Sequence, residues 1–247
     1  MGIPRLGPDA TPDEIAAALL DRGCVIVERL APPELCDRVE TELAPWSART
    51  PVGGDEFTGR NTRRTGALLA RVPSSVELIA HPRVLEVCDR VLGRKGARYQ
   101  LHLTQAIAIG PGSPAQQLHR DHWCFDFHRF PVDLDVEVST IWALCDFDEA
   151  NGATRVIPDT HRVEGLEYDH ADSLPAEMPR GSVVLYLGAM AFLALHLYHG
   201  AWASMRTLGI APTSTQPLRR RIPLVLAIVV AGGFSLVPLG VALGIIK

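Results

Sequence analysis

No acidic residue follows Glu177 in this chain of 247 residues, and all 28 Asp and Glu lie at or before it. From Val183 onward the only charged side chains are Arg206, Arg219, Arg220, Arg221 and Lys247. Taking those five from the 24 Lys and Arg leaves 19 cations against 28 acids, so residues 1–182 carry a net charge of −9. A charge gap of that size implies that the two parts meet different solvents. Also absent is any Cys-x-x-Cys. The five cysteines, Cys24, Cys36, Cys88, Cys124 and Cys145, are odd in number and irregularly spaced, which argues against a closed disulfide framework and for reduced thiols in a cytosol-facing domain. The start, MGIPRLGPDATPDE, lacks an apolar core segment, so no secretory signal peptide is expected. Position 6 is Leu rather than Ser or Thr, which argues against myristoylation of Gly2. Intrinsic disorder is excluded by an apolar content of 47%.

What is present reads as helices followed by strands. Thr11 and Glu14 form a capping box around Pro12, and the spacing of Ile15, Leu19 and Leu20 predicts a helix that ends at Gly23. CVIVERL follows as a short buried strand, then a helix over 33–44 and another from about Arg83 to Val91, stopped by Gly93. The segment GDEFTGRNTRRTG, with Arg60, Arg63 and Arg64, reads as a polar loop, with closure over an anionic substrate as the alternative. From Tyr99 the pattern turns to β: YQLHLTQAIAIG, AQQLHRD, DVEVSTIWALCDF, ATRVIP and SVVLYLG. In VEVSTIWAL, Val136, Val138, Thr140 and Trp142 share one face, and Glu137, Ser139 and Ile141 the other. Pro111-Gly112, Asn151-Gly152 and Arg180-Gly181 punctuate these runs as turns. Helices before several antiparallel strands predict an α+β chain whose main domain is a jelly-roll sandwich.

His119-Arg120-Asp121 is the chemical signal. Residues i and i+2 of a strand project to one face, so this imidazole and this carboxylate can reach a single metal. A second, distant histidine would complete a 2-His-1-carboxylate face, which leaves positions open for an oxo-acid and O2. His-x-Asp alone is weak. Its surroundings are more specific: LTQAIAIGPGSPAQQLHRDHW, STIWALCDF, NGATRVIPDTHR and GSVVLYLG, with DRGCVIVERL, RTGALLARVP and HPRVLEVCDRVLG upstream. In that order they resemble the phytanoyl-CoA dioxygenase family over about residues 1–188. The resemblance implies a double-stranded β-helix enzyme that couples decarboxylation of 2-oxoglutarate to hydroxylation of a small-molecule substrate, with no nucleic-acid partner. It further implies that His119 and Asp121 bind Fe(II) and that Gln105 and Trp142 flank the oxo-acid. Trp142 as a plain core aromatic is the alternative. His122 falls on the opposite strand face, which argues against a ligand role. His161 matches a family histidine with structural duty, although Asp159-Thr160 stands where the family reads Gly-Ser.

The pattern departs from the family after Gly188. The resemblance places a histidine at position 192 and an oxo-acid-binding arginine near 203, where this chain has Phe192 and Ala203. An impaired dioxygenase with weakened Fe(II) and 2-oxoglutarate binding is therefore expected; a non-catalytic jelly-roll binding domain is an alternative. His196 and Arg206 are poorly suited to replace the missing pair, because His196 lies in an apolar run without a Gly-rich turn.

Residues 183–203 and 222–246 carry no formal charge, and each run is long enough to cross about 30 Å of hydrocarbon at 1.5 Å per residue. They predict two transmembrane helices, with membrane association through residues 183–246 and domains of 1–188 and 189–247. ALHLYHGAWASMRTLG resembles the end of the succinate dehydrogenase cytochrome b membrane subunit. That resemblance implies His196 as a haem b ligand and succinate dehydrogenase subunits as partners, but only the last two helices of that family have counterparts, too few to enclose haem. By the positive-inside rule Arg206 and Arg219–Arg221 place the inter-helix loop in the cytoplasm, which conflicts with a cytoplasmic dioxygenase domain. Two genes joined near Gly188, giving a chimeric chain, is the simplest account.

Overall fold

The computed structural model describes residues 2–54, 59–93, 98–116, 118, 119, 121, 134–163 and 168–187. All of them fall in one compact unit, which takes in Met1–Asp121 and Phe130–Ala189. In chain order the elements are β1 (Arg5–Leu6), α1 (Pro12–Arg22), β2 (Cys24–Val27), α2 (Pro33–Arg49), β3 (Thr62–Gly66), α3 (Leu68–Arg71), α4 (Ser75–Ile79), α5 (Pro82–Val91), β4 (Gln105–Ile109), β5 (Val138–Trp142), β6 (Arg155–Val156), β7 (Leu174–Pro175) and β8 (Val183–Leu187).

Helix α1 forms as its capping box predicts. Thr11 N donates to Glu14 Oε2 at 2.8 Å and Glu14 N donates to Thr11 Oγ1 at 3.3 Å, so two end donors are satisfied reciprocally. Gly23 ends the helix in the left-handed region at φ +73°, and its N–H donates to Leu19 O. Ile15, Ala16 and Leu19 are buried on the inner face. Helix α2 runs five residues beyond the expected end at 44, because Pro45 is accommodated inside it rather than stopping it. Pro82 opens α5 at its first turn, where its missing N–H is no loss.

Four strands pair in the order β1-β2-β8-β5, with β1 parallel to β2 and both other pairings antiparallel. One face of this sheet presents Val25, Val27, Val183, Leu185 and Leu187 to Ile15, Leu19, Val87 and Val91 of α1 and α5. Ile26 and Val184 on the other face pack with Ala143, Ala176 and Met178. Being covered on both sides, β2 and β8 read as unbroken apolar runs. This corrects the start of the predicted membrane segment, since Val183–Leu187 is a strand held between β2 and β5. A two-sided buried strand and a membrane helix exclude charge alike, which is why the uncharged run appeared to begin at 183.

The predicted polar loop around Arg60–Arg64 also needs correcting. Thr62–Gly66 is β3, paired antiparallel with β4 from Thr62↔Ile109 to Gly66↔Gln105. Arg63 donates to Thr50 O and Arg64 to Gln116 Oε1, so both guanidinium groups bind the protein itself. Gly112, Gly152 and Gly181 all have positive φ, as their predicted turns require. Among the described residues no helix is long and apolar enough to cross a membrane. Beyond Leu187, both predicted transmembrane helices, Phe192, His196 and the basic loop lie outside the described residues, as does His122.

Candidate functional site

Pairing of β5 with β8 sets Ser139 opposite Tyr186 on the face that carries Ile141 and Val184. Tyr186 is the single polar side chain of β8, and its hydroxyl donates a short hydrogen bond to Asp121 Oδ2. The other carboxylate oxygen, Asp121 Oδ1, lies 3.5 Å from His119 Nε2, and each of these side chains is about one third exposed, 36% and 30% for His119 and Asp121. His119 and Asp121 come together, but not as neighbours on a strand face as expected: no strand covers them, His119 lying in irregular backbone and Asp121 in a 3-10 turn, with Asp121 anchored on the sheet through Tyr186.

The electrostatics follow from burial and hydrogen bonding. Burial acts to raise Asp121, but hydrogen bonds with His119, Tyr186 and Ser139 outweigh it and hold the carboxyl below its ordinary value. Burial, reinforced by the Asp121 charge, pushes the Tyr186 phenol well above its ordinary value, so it stays a donor. Glu137, two residues before Ser139 on the same face, is raised first by burial and then by the charge of Asp121. Its Oε1 is 3.5 Å from Ser139 Oγ, and its Oε2 is buried with no hydrogen-bond partner among the described residues.

A nitrogen and an oxygen bound to one cation at about 2.0–2.2 Å each lie roughly 3 Å apart when they occupy adjacent coordination positions. A separation of 3.5 Å therefore fits a shared ion after a small side-chain rotation. In chemical type this N,O pair suits a first-row metal. Among the described residues no group of three or more His, Cys, Asp or Glu gathers as a metal site, so the pair is all that they contribute.

The other predicted site residues are placed differently. Gln105 opens β4, half-buried opposite Gly66, in a two-stranded sheet separate from that of Tyr186. Trp142 shares its β5 face with Val138 and Thr140, three residues out of phase with Ser139, and packs into both clusters that face the helices. Its ring stands 5.6 Å from that of His81. The sheet thus turns Trp142 away from Asp121, and the core-aromatic alternative describes its position. His161 is structural as expected: its Nε2 lies 3.1 Å from Leu20 O and its ring covers Gly23. Tyr186, Ser139 and Glu137 were not singled out in the sequence. A lone tyrosine in the apolar SVVLYLG run was the available signal, since a buried phenol needs a partner.

With this geometry established, similarity to known proteins is informative. The family model described as phytanoyl-CoA dioxygenase matches residues 20–196. Dioxygenase trt7 of Aspergillus terreus is 28% identical over 209 residues, covering 80% of this chain and 70% of its own length. The multifunctional dioxygenase ausE of Emericella nidulans is 30% identical over 203 residues, covering 76% and 68%. Coverage of dioxygenase aneA of Aspergillus aculeatus, 30% identical over 190 residues, falls to 63% of its length, so the chain spans about two thirds of these curated relatives. Among solved structures, the non-haem α-ketoglutarate-dependent epimerase SnoN from nogalamycin biosynthesis aligns with a TM-score of 0.54 at 13% identity, over 72% of this chain and 71% of that one. The carbocyclase SnoK aligns at 0.51 and 18% identity, over 76% and 78%. These likenesses establish a fold of the jelly-roll type found in non-haem oxo-acid-dependent enzymes. None of them supports the cytochrome b reading of the tail, a haem group, or succinate dehydrogenase partners.

Proposed function

Because the chain belongs to the phytanoyl-CoA dioxygenase family, as its match over residues 20–196 shows, we propose that it is a non-haem Fe(II), 2-oxoglutarate-dependent oxygenase of a small-molecule substrate with an impaired site. The observation that carries this reading is the approach of His119 Nε2 to Asp121 Oδ1 at 3.5 Å within the family-matched segment. His119 and Asp121 would hold the iron. When bound, iron and the oxo-acid would allow O2 to act as the oxidant, one oxygen atom passing into succinate as CO2 is lost and the other into a substrate C–H bond as hydroxyl. The chain's own part is to present one imidazole nitrogen and one carboxylate oxygen to the cation and to keep that carboxylate ionised through its hydrogen bonds. Gln105 remains a candidate flank for the oxo-acid at the head of β4.

Impairment is proposed from the sequence: Phe192 stands where the resemblance puts the second histidine, and Ala203 where it puts the arginine. An oxo-acid carboxylate without that arginine lacks a bidentate, charge-assisted contact. The test is anaerobic Fe(II) titration of the purified chain together with succinate formation from 2-oxoglutarate. Weak binding that falls to a low residual level in Asp121→Ala, with succinate near background, is expected. Robust succinate formation abolished by Asp121→Ala would uphold the class and overturn the impairment. If restoring a family-type ending after Gly188, with both residues at their expected spacing, yields a folded chain without metal binding or turnover, the class itself is lost.

A further inference from the structure

A carboxylate that holds a metal by one oxygen has a second oxygen to place, and what that oxygen binds decides how the first is aimed. In this chain the second oxygen is Asp121 Oδ2, and it accepts from the Tyr186 hydroxyl. Tyr186 is itself fixed within β8, with Cys24 of β2 opposite it on one side and Ser139 of β5 on the other. Its strand neighbours Val184 and Leu185 are fully buried, so the backbone that carries the phenol has little room to shift. A buried phenol left without a partner is disfavoured, so the contact holds both groups in place. Asp121 comes from a different part of the chain, 65 residues earlier, and this hydrogen bond ties it to the central sheet.

We propose that Tyr186 is a positioning residue for the metal: by occupying Asp121 Oδ2 it turns Oδ1 toward His119 Nε2, so that the two donors can share one cation. The inference rests on the dioxygenase reading above for the identity of the metal. Its consequence is specific to a site to which the described residues contribute only two donors. With so few bonds to the ion, each degree of freedom left to the carboxylate weakens the site, and the phenol removes rotation about the Asp121 carboxyl. Groups that orient a metal ligand in this way typically account for about 10–100-fold in metal affinity.

The experiment compares the full chain with Tyr186→Phe, Asp121→Ala and the double variant. Fe(II) and Co(II) are titrated calorimetrically under anaerobic conditions, and thermal melting of each metal-free variant reports the fold. Tyr186→Phe is expected to weaken metal binding about 10–100-fold and to have no further effect on the residual binding of Asp121→Ala, because it acts through that carboxylate. Equal affinity of Tyr186→Phe and the parent overturns the proposal, as does an equal loss in both backgrounds. A parent that binds neither ion defeats the dioxygenase reading and this inference with it, an outcome distinct from a parent that binds and a variant that binds equally well. Should Tyr186→Phe fail to fold, the question passes to a chain in which Tyr99, Tyr168 and Tyr198 are replaced by phenylalanine, leaving Tyr186 as its only tyrosine. Metal addition should then shift the tyrosine ultraviolet band, and binding without any shift refutes the proposal.

Discussion

Replacing Gly23 by alanine should disturb the domain at the point where α1, β8 and the His161 loop meet. Gly23 sits at φ +73°, and a Cβ built there would lie 2.5 Å from His161 Nδ1 and 2.7 Å from its Cγ. The left-handed backbone costs alanine roughly 1–2 kcal/mol. Moving the imidazole aside breaks its contact with Leu20 O at 3.1 Å, a further loss of about 1 kcal/mol. A total of roughly 2–3 kcal/mol lowers Tm by about 4–12 °C in a domain of this size. The site should feel the change, because Leu187 N donates to Gly23 O at 2.9 Å, one residue beyond Tyr186. Melting curves of Gly23→Ala, His161→Ala and the double variant test the account. In the double variant the clash is gone, so the combined loss should fall short of the sum by about 1 kcal/mol or more. Strict additivity, or an unchanged Tm in Gly23→Ala, would refute the packing argument.

Asp159 adopts φ +67° and pairs with Arg22 at 2.9 Å. Asp159→Gly should therefore be neutral within about 1 kcal/mol, since relief of backbone strain offsets the lost ion pair, whereas Asp159→Ala loses the pair while keeping the strain and should melt lower. Burial holds His161 below its ordinary value, against a backbone hydrogen bond that acts the other way. Below pH about 6.5 the unfolded chain then binds the proton more readily. Stability should be fully present above that pH and decline as pH falls through the window below it, with a shallower acid-side decline in His161→Asn; identical Tm profiles from pH 7 to 5 would contradict this. Leu19 is fully buried against β2 and β8, and Leu19→Ala should cost about 2–5 kcal/mol in a denaturant melt, with a loss below 1 kcal/mol showing that α1 does not carry the core as described. For the tail, the full chain is expected to stay with the membrane pellet through alkaline extraction and to show no haem Soret band, and its release into the supernatant would end the membrane proposal.

The helical preface was legible because its signals are local. Thr11, Glu14, Pro12 and Gly23 settle both ends of α1 through groups within one turn of each other. The faces of β5 were equally readable, since alternation of Val138, Thr140 and Trp142 with Ser139 and Ile141 is a property of consecutive residues. Which face looks toward the site is not readable from sequence, because it depends on α1 and α5 packing against one side of the sheet, the side on which Trp142 packs half-buried. Strand β3 escaped for a related reason. Its arginines look like a solvated loop until the pairing with β4 and the acceptors Thr50 O and Gln116 Oε1 are known. His-x-Asp pointed to His119 and Asp121 although no strand covers them, so a strand period is not what brings them together, whereas Tyr186 is 65 residues from its partner and is visible only through the fold.

Strand β8 also changes where a membrane segment could begin, although the division of the chain after 188 already left it in the first domain. Counting charges placed the transition at Val183, yet Val183–Leu187 hydrogen-bonds to β2 and β5 and fills the core on both faces. Its one polar side chain, Tyr186, reaches the candidate metal pair. A membrane segment beginning at 183 would withdraw that strand, uncover β2 and β5, and remove the donor from Asp121 Oδ2. The domain therefore needs every residue through Leu187, and any membrane segment must start after it. The family match itself continues to residue 196. The half of the site built by His119, Asp121 and Tyr186 thus belongs to the folded unit whatever the tail does. In the proposed reading, turnover of an oxo-acid calls for a third donor that the described residues do not supply, and for that reason metal affinity and succinate formation have to be measured separately.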